Sequence, residues 1–541
     1  MSEEAIVSSD AAKPVRSARS GMIRSSMIYS SLTLVSRLMG FVRDLVVTYY
    51  MGASATFVAD AYTTALAFPN LFRRIFAEGA FAAAFVPAYA RSLERDGEEV
   101  ADVLAADAMA ALLAMTLAVT VVAELAMPWI IAVYSPGFAA VPGKAPLTIT
   151  LTMITMPYLP CMAIYAHLAG VLNARNRFVV SAAAPILLNI WTLVAVLPTH
   201  TPHAAAVSAS WGVLAAGVTQ AGLLWWGVRK SGANVDWRLP RLTPEIRQLI
   251  ALALPGAFAA SVSQVNVFVS QFLVSHVNGA RTWLAVCDRL YQLPQGLVGV
   301  AIGVALLPRL SRAVHGDDRA GAQNAMDEAI TFSMALTLPA AAALFAMPCF
   351  LIDGLYTRGE FHAVDAHQTA LALQQYGWGV PAFVLAPLFS RAFFARQDTR
   401  TPMNYAIVSV AVNVAAGIVL FNLVGVAGIA AATSLASWVN VGLMAFTLAR
   451  RGAYTPSPAA VSRLIRILLA SALLAGILAL ASQVRPQIQG LFGHLHIGRA
   501  IGAKELAILL VTVLAAPIYA GVLLAVGGIS RAEVARVLRR R

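Results

Sequence analysis

The sequence predicts an all-α polytopic membrane protein of about fourteen transmembrane helices: two six-helix lobes related by a parallel repeat, plus two extra helices at the C-terminus. Three observations predict it. The 541 residues are 59% hydrophobic and only 12% charged, with mean hydropathy +0.73, whereas soluble domains average about 25% charged residues. Long uncharged apolar runs recur, as at 109–123 and 467–482, on the scale of the about 20 residues a helix needs to cross a bilayer. Finally, the two halves of the chain match at one nearly constant offset, the step from Pro87 to Pro308.

In chain order, the predicted spans of the first lobe fall at 27–51, 57–90, 103–134, 147–172, 180–199 and 205–229. Those of the second fall at 247–276, 282–308, 325–352, 366–394, 402–422 and 424–449, and spans at 462–483 and 505–528 close the set. Residues 1–26 are polar, without an apolar stretch ending in a small-residue cleavage site, so no cleavable signal peptide is expected. The net charge of +13 is distributed by loop parity. One set of loops holds Arg175 and Arg177, the run from Arg229 to Arg247, Arg309, Arg312 and Arg319, Arg450 to Arg466, and the tail from Arg531 to Arg541. The opposite set is sparse, with Lys144, Arg281, Arg358, Arg485, Arg499 and Lys504. The positive-inside rule then places both termini in the cytoplasm, and the basicity reads as topology rather than as a nucleic-acid patch. The expected organisation is a cytoplasmic tail at 1–26, an N-terminal lobe at 27–246, a C-terminal lobe at 247–450, a two-helix unit at 451–530 and a basic cytoplasmic tail at 531–541. Cys161, Cys287 and Cys349 fall in apolar helices far apart and read as small buried hydrophobes, with no disulfide framework and no metal site.

Four matches in order carry the repeat. PAYAR at 87–91 matches PRLSR at 308–312, and Ala126-Met127-Pro128 matches Ala346-Met347-Pro348. Tyr134, Gly137 and Phe138 match Tyr356, Gly359 and Phe361, and Ala174-Arg175-Asn176 matches Ala395-Arg396-Gln397. An offset holding six spans inserts both copies the same way round, and transport sites commonly lie between such repeats near mid-membrane.

Five arginines, Arg37, Arg43, Arg73, Arg74 and Arg289, lie inside stretches that otherwise read as spans. A cation at the bilayer centre costs about 2.5–3.5 kcal/mol on insertion scales, so each must face a protein interior, a wet cavity or a partner. Several gathered in one cavity suit a polyanion such as a pyrophosphate. In the first span Ser36 shares a helical face with Arg43, and Arg37 shares one with Asp44. The plain alternative is an internal Arg–Asp pair, but one aspartate cannot neutralise two arginines. The second span reads AFPNLFRRIFAEGAF, in which Pro69 breaks the hydrogen-bond ladder and Gly79 loosens it. Asn70 shares a side with Arg73 and Arg74, and Glu78, four residues after Arg74, can pair with it. Here the alternative is that the arginines snorkel to an interface. In the eighth span Thr282, Arg289 and Gln292 form one polar stripe, and Asp288 can pair locally with Arg289. Asp60 is expected to gate, to accept protons or to cap a helix. Glu124 is isolated, Asp398 and Thr399 read as a helix-end turn before Pro402, and His494 and His496 are not read as a metal site. None of the four lysines (Lys13, Lys144, Lys230, Lys504) follows a Gly-rich phosphate loop, which excludes P-loop ATP hydrolysis. Motifs for membrane-embedded hydrolysis or glycosyl transfer are also missing, so no catalytic residue is expected.

The runs SRLMGFVRD (36–44), FPNLFRRIFAEGAFAAAFVP (68–87), DRLYQLPQGLVGVAIG (288–303) and ARQDTRTP (395–402) closely resemble the MurJ/MviN lipid II flippases of the multidrug/oligosaccharidyl-lipid/polysaccharide exporter superfamily. The resemblance spans nearly the whole chain, and the second run is the most specific. It implies a transporter of the bacterial cytoplasmic membrane that carries lipid II from the inner to the outer leaflet by alternating access, with a groove at the last two spans for the polyprenyl tail. By that match Arg37, Arg43, Arg73, Arg74 and Arg289 line or support the pyrophosphate cavity, and Ser36 and Asn70 assist. Thr282 takes a hydroxyl position, Asp60 is an acid near the outer gate, and Asp44, Glu78, Asp288 and Gln292 balance charge. Some relatives carry Lys where this chain has Ala67 and Glu where it has Gln292, which removes one cation and one anion. Certain members bind sodium in the second lobe, but no ligand set for it is legible here. The expected partners are lipid II, membrane lipids and cell-wall synthesis proteins. The expected unit is a monomer without a cofactor, driven by the membrane potential or by a sodium or proton gradient. Two alternatives are a flippase for another polyprenyl-linked glycan and a cation-coupled multidrug exporter. A cavity for cationic drugs would be acidic and aromatic, which five arginines oppose.

Overall fold

The structure is a computed structural model that describes residues 13–72, 81–175, 177–305, 312–313, 316, 318–493 and 502–528. It is helical, without strands among the described residues. The first lobe contains α1 (Lys13–Met51), α2 (Val58–Phe72), α3 (Phe81–Arg95), α4 (Glu98–Leu125), α5 (Met127–Tyr134), α6 (Lys144–Thr155), α7 (Tyr158–Ala174), α8 (Phe178–Ala183), α9 (Pro185–Val196) and α10 (Pro202–Lys230). The second contains α11 (Pro244–Val274), α12 (Ala280–Ala305), α13 (Arg319–Ala346), α14 (Pro348–Tyr356), α15 (Ala363–Gly377), α16 (Val380–Phe394), α17 (Arg400–Val424) and α18 (Val426–Arg450). Beyond them lie α19 (Pro458–Gln483), α20 (Arg485–Gly490) and α21 (Ala503–Ala525). The end of the bundle where α1 begins is called proximal below, and the end where it stops is called distal.

Nine described helices are long and apolar enough to cross a membrane, or ten if α15 and α16, bent by 41° to each other, form one span. Helix α1 is not among them, because Arg37, Arg43 and Asp44 sit in its apolar half. It also starts at Lys13, well before the predicted start at 27. Five predicted spans divide within the described residues: 147–172 into α6 and α7 ahead of Tyr158, 180–199 at Pro185, 366–394 at Gly379, 103–134 at Ala126 and 325–352 at Met347. Proline at the start of the following segment removes a ladder donor in the second and third cases.

Local chemistry fixes several boundaries. Thr201, Thr243 and Ser457 each accept a backbone N–H three residues on, and each is followed by proline at the first helical position. That pairing satisfies one orphan donor and supplies a residue that needs none. The repeat is geometric as well as sequential. Helices α4 and α13 are equal in length, and both ends of α13 follow those of α4 at the repeat offset. The carboxylate of Asp102 in α4 accepts from the Asn234 amide after α10 at 2.6 Å. Its counterpart, Gln323 in α13, donates to the carbonyl of Thr455 after α18. One position thus clasps the equivalent loop in both lobes, with the polarity reversed.

Each lobe has its own apolar core. In the first, Phe85, Tyr89, Met109, Leu168 and Leu224 pack together at the proximal end. In the second, Trp283, Phe361, Leu373 and Ile429 form one cluster, and Met326, Phe389 and Met444 another. Helix α11 belongs to both lobes: Ile246 and Leu249 are buried in the core of the first, while Asn266, farther along, accepts a 2.7 Å bond from Asn413 of α17. Helices α19 and α21 pack on α14 through Leu474, Ile508 and Phe350. Their other faces leave Leu469, Leu473, Leu509 and Val513 exposed, as a lipid-facing surface requires.

Candidate functional site

A cavity of about 490 Å³ lies between the lobes near the middle of the bundle, lined by α1, α2, α7, α9, α10 and α12. Its wall brings together Ser36, Arg37, Arg43, Asp44, Asn70, Thr282, Asp288, Arg289 and Gln292, nine of the thirteen residues singled out from the sequence. Asp60 lies at its distal end. Arg73, Arg74 and Glu78, like His494 and His496, lie outside the described residues.

Asp44 is the hub of the cavity. One carboxylate oxygen accepts from Arg43 Nη2 at 2.6 Å and Nε at 2.9 Å, and the other accepts from Nε of Arg289. Arg43 belongs to the first lobe and Arg289 to the second, so a single carboxylate ties the lobes together at the cavity. The helical-face argument pairs Asp44 with Arg37, seven residues away. The structure gives it to its neighbour Arg43 and to the opposite lobe instead, because the long guanidinium arms reach sideways farther than face geometry alone suggests. Asp288, the neighbour of Arg289 on α12, lies beside Tyr291. Gly40 faces this meeting point: a Cβ there would stand in ordinary contact, 3.8 Å from Arg289 Nη1 and 3.6 Å from Asn189 Oδ1. Asn189 in turn holds the α1 backbone by donating to the Ser36 carbonyl at 3.1 Å.

Arg37 projects into the cavity and meets no carboxylate partner among the described residues. Its guanidinium lies against Gly296 of α12, where any side chain would collide with it. Three cations therefore face two carboxylates across the described cavity wall. In α2, Pro69 cannot donate to the Ala65 carbonyl, and Thr155 Oγ1 of α6 supplies a 3.3 Å bond in its place. Asn70 donates to the Leu66 carbonyl at 2.8 Å, which steadies the helix just before the stretch that carries Arg73 and Arg74.

The distal side of the cavity is closed by a second, drier cluster. Asp60 and Lys144 are fully buried and paired at 2.7 Å. Asp60 also accepts from the Gly279 amide at 2.8 Å, the Thr282 amide at 3.0 Å and the Thr282 hydroxyl at 2.7 Å. Of the three roles weighed for Asp60, this geometry is a cap, but on the first turn of α12 in the other lobe, where an acid complements the helix dipole. The hydroxyl of Thr282 is thereby engaged with Asp60 rather than turned freely to the cavity. Lys144 donates to Asn278 Oδ1 at 2.8 Å and lies 4.2 Å from the Phe138 ring centre. Asp365, also fully buried, accepts from the Ser54 amide at 3.0 Å and from Trp283 Nε1 at 3.0 Å.

Sequence reasoning missed Lys144 and Asp365. Lys144 is read as one of few charges in a sparse loop, and Asp365 draws no attention. Their signal lies in the repeat: the two positions are separated by the repeat offset, and each stands in the first turn of an equivalent helix. Among the described residues no group of three or more His, Cys, Asp or Glu is placed to hold a metal ion.

The family model described as "Lipid II flippase MurJ" matches residues 47–497. A protein of Rhizobium meliloti described as "Probable lipid II flippase MurJ" is 38% identical over 525 residues, covering 96% of each chain. The "Lipid II flippase MurJ" of Burkholderia cenocepacia is 32% identical, over 84% of this chain and 89% of its own. Among solved structures, "Lipid II flippase MurJ, inward closed conformation" superposes with TM-score 0.73 at 24% identity, covering 92% of this chain and 98% of the other. An inward-facing multidrug resistance MATE transporter of the MOP superfamily superposes with TM-score 0.65 at 13% identity, over 79% of this chain and 98% of its own, a likeness of fold.

Proposed function

Because the chain belongs to the lipid II flippase MurJ family, we propose that its central cavity receives the pyrophosphate and headgroup of lipid II and carries them across the bilayer by alternating access. It is a transporter, not an enzyme, and a multi-pass protein of the bacterial inner membrane. The multidrug-exporter alternative is not favoured. The MATE likeness is one of fold, and the cavity wall holds three arginines.

One observation carries the assignment of the site: Asp44 holding Arg43 and Arg289 from opposite lobes in a wet cavity. A diphosphate offers more acceptor oxygens than one carboxylate and matches guanidinium forks bidentately. Substrate would therefore displace Asp44 from one or both arginines, with Arg37 as a further cation. Ser36, Asn70 and Gln292 line the same wall, and Arg73, Arg74 and Glu78 complete the set by sequence. When the site is empty, Asp44 keeps the arginines neutralised and the lobes joined. Loading the cavity exchanges that internal tether for a ligand that can travel.

The proximal end is the cytoplasmic one in this reading, since Arg229, Lys230, Arg238, Arg241 and Arg247 cluster there. Both termini are then cytoplasmic, and the bonded distal seam faces the periplasm. The polyprenyl tail stays in lipid along α19 and α21. Moving net negative charge outward gains about 2.3 kcal/mol per charge per 100 mV of inside-negative potential, so the potential, or a sodium or proton gradient, drives transport without a cofactor. The working unit is a monomer, because both walls of the cavity come from one chain, and cell-wall synthesis proteins receive the product.

The test is transport of lipid II by purified protein in liposomes. Arg289→Ala is expected to slow it by about ten- to a hundredfold, the loss of one or two charge-assisted bonds. Transport at the parental rate by the well-folded variant would remove the pyrophosphate role from this cavity.

A further inference from the structure

Lys144 and Asp365 occupy equivalent positions in the two lobes and do equivalent things with opposite charge. Lys144 opens α6, and Asp365 lies in the first turn of α15, one repeat later. Each is fully buried, and each reaches into the other lobe. Lys144 binds Asn278 at the start of α12 at 2.8 Å. Asp365 accepts from the amide and hydroxyl of Ser54, between α1 and α2, at 3.0 and 2.5 Å. The two arms meet, because the side-chain amide of Asn278 donates to the Ser54 carbonyl. An unbroken chain Asp60–Lys144–Asn278–Ser54–Asp365 therefore runs along the distal seam.

Backbone contacts repeat the pattern. Gly137 donates to Ser275 Oγ at 3.2 Å, and a Cβ on Gly137 would strike the backbone of Ser275 and His276 at the end of α11. In the other lobe, the Glu360 amide donates to the Tyr49 carbonyl near the end of α1 at 3.0 Å. A Cβ on Gly359 would strike that same carbonyl. Each lobe thus presses the turn after its third span onto the end of the other lobe's first helix, as in an isologous dimer.

The division of charge is what makes the seam reversible. If the lobes part here, Lys144 keeps Asp60 and Asp365 keeps Trp283 Nε1 and the His362 amide, all partners from the same lobe. Only neutral donors and acceptors are left behind: the Asn278 side chain, the Gly279 and Thr282 groups, and Ser54. No buried ion pair has to be pulled apart, which is the costly way to open a dry interface.

We propose that Lys144 and Asp365 are the two repeat-related halves of one closure that holds the distal seam shut and parts as a unit when the cavity opens on that side. They are positioning residues that never touch the substrate. The proposal rests on the alternating-access reading, but its test uses no lipid substrate.

Cavity-lining Ala285 is replaced by cysteine in full-length protein whose three native cysteines are alanine, and its labelling by a membrane-impermeant maleimide is timed from the distal side. Lys144→Met and Asp365→Asn are each expected to speed labelling by about tenfold, the weight of a lost hydrogen bond to a charged group. The double variant should label no faster than the faster single one, because the closure is shared. Unchanged labelling in both folded variants overturns the proposal, as does acceleration by only one, or a multiplied rate in the double variant. Asn278→Ala cuts the junction without removing either charge and serves if a charge variant fails to fold. It too must accelerate labelling, and an unchanged rate overturns the proposal. Lipid II transport measured on the parent in the same vesicles stands apart: its absence would sink the transport reading and leave the labelling result intact.

Discussion

The cavity and the distal seam are two stretches of one interface, and the duplication has treated them differently. In the seam, what one lobe offers the other offers back: Lys144 against Asp365, Gly137 against Gly359. In the cavity nothing is returned. Helix α1 contributes Arg37, Arg43 and Asp44, while the equivalent positions of α11 are Phe258, Gln264 and Val265. The second lobe places its Asp288 and Arg289 on α12, where the first lobe has Ala67 and Phe68. Repeat symmetry survives where the lobes must bind each other and is lost where they face something else. A pseudo-twofold surface suits a self-contact, and a substrate without twofold symmetry has no use for one.

The contrast can be tested by stability. Asp60→Ala leaves the Lys144 ammonium dry and unpaired, so it should lower stability by about 3–5 kcal/mol, the range for stripping one partner from a buried pair. Asp44, with a quarter of its side chain exposed, should cost about 1 kcal/mol on the same change, because water takes its place beside the arginines. Thermal unfolding of the two variants in one detergent orders them, and equal losses would erase the distinction between a dry seam and a wet cavity. A smaller effect sharpens the symmetry itself. Gly137→Ala and Gly359→Ala each force a methyl into the opposite backbone and should cost about 1–3 kcal/mol. Gly359 should be the worse of the two, since its φ of +58° is strained for any side chain. A neutral result at either position would show that the lobes do not press on each other there.

The smallest expected effect lies away from both regions. Asp398, before α17, accepts from the Thr401 amide at 3.0 Å and its hydroxyl at 2.7 Å, and pairs with Arg451 at 2.6 Å. These bonds hold its carboxyl down to about 2. A depressed carboxylate stabilises the fold above its usual range and loses that contribution as pH falls towards 2. Asp398→Asn should therefore cost no more than about 1 kcal/mol at pH 7, given its exposure to solvent. The difference from the parent should vanish in acid, and a gap that persists at pH 2 would point to a cause other than the charge.

The sequence made the cavity legible because a charge inside an apolar run is conspicuous whatever its partner. Arg37, Arg43, Asp44, Asp288 and Arg289 announce themselves in this way, and a fixed offset between half-chains announces the lobes. The pairing was less legible, since Asp44 has a choice of guanidinium groups and takes two, its neighbour Arg43 and Arg289 from 245 residues away. Lys144 and Asp365 stayed hidden for a different reason. Each sits at the start of a helix beside a loop, where a charge is ordinarily solvated, and its burial is the work of the opposite lobe. The expected helix-end turn at Asp398 was readable because it depends only on the next three residues.

The seam's habit of keeping every charge with its own lobe has an electrical consequence. A closure that moved a bare ammonium or carboxylate through the membrane field would carry gating charge, and its poise would follow the cell's voltage. Lys144 travels with Asp60 as a neutral pair, whereas Asp365 keeps only neutral donors of its own lobe, so that carboxylate is the charge through which the seam would feel the field. The two halves of the seam, alike in geometry, are therefore unlike electrically: one carries a compensated pair and the other a single carboxylate.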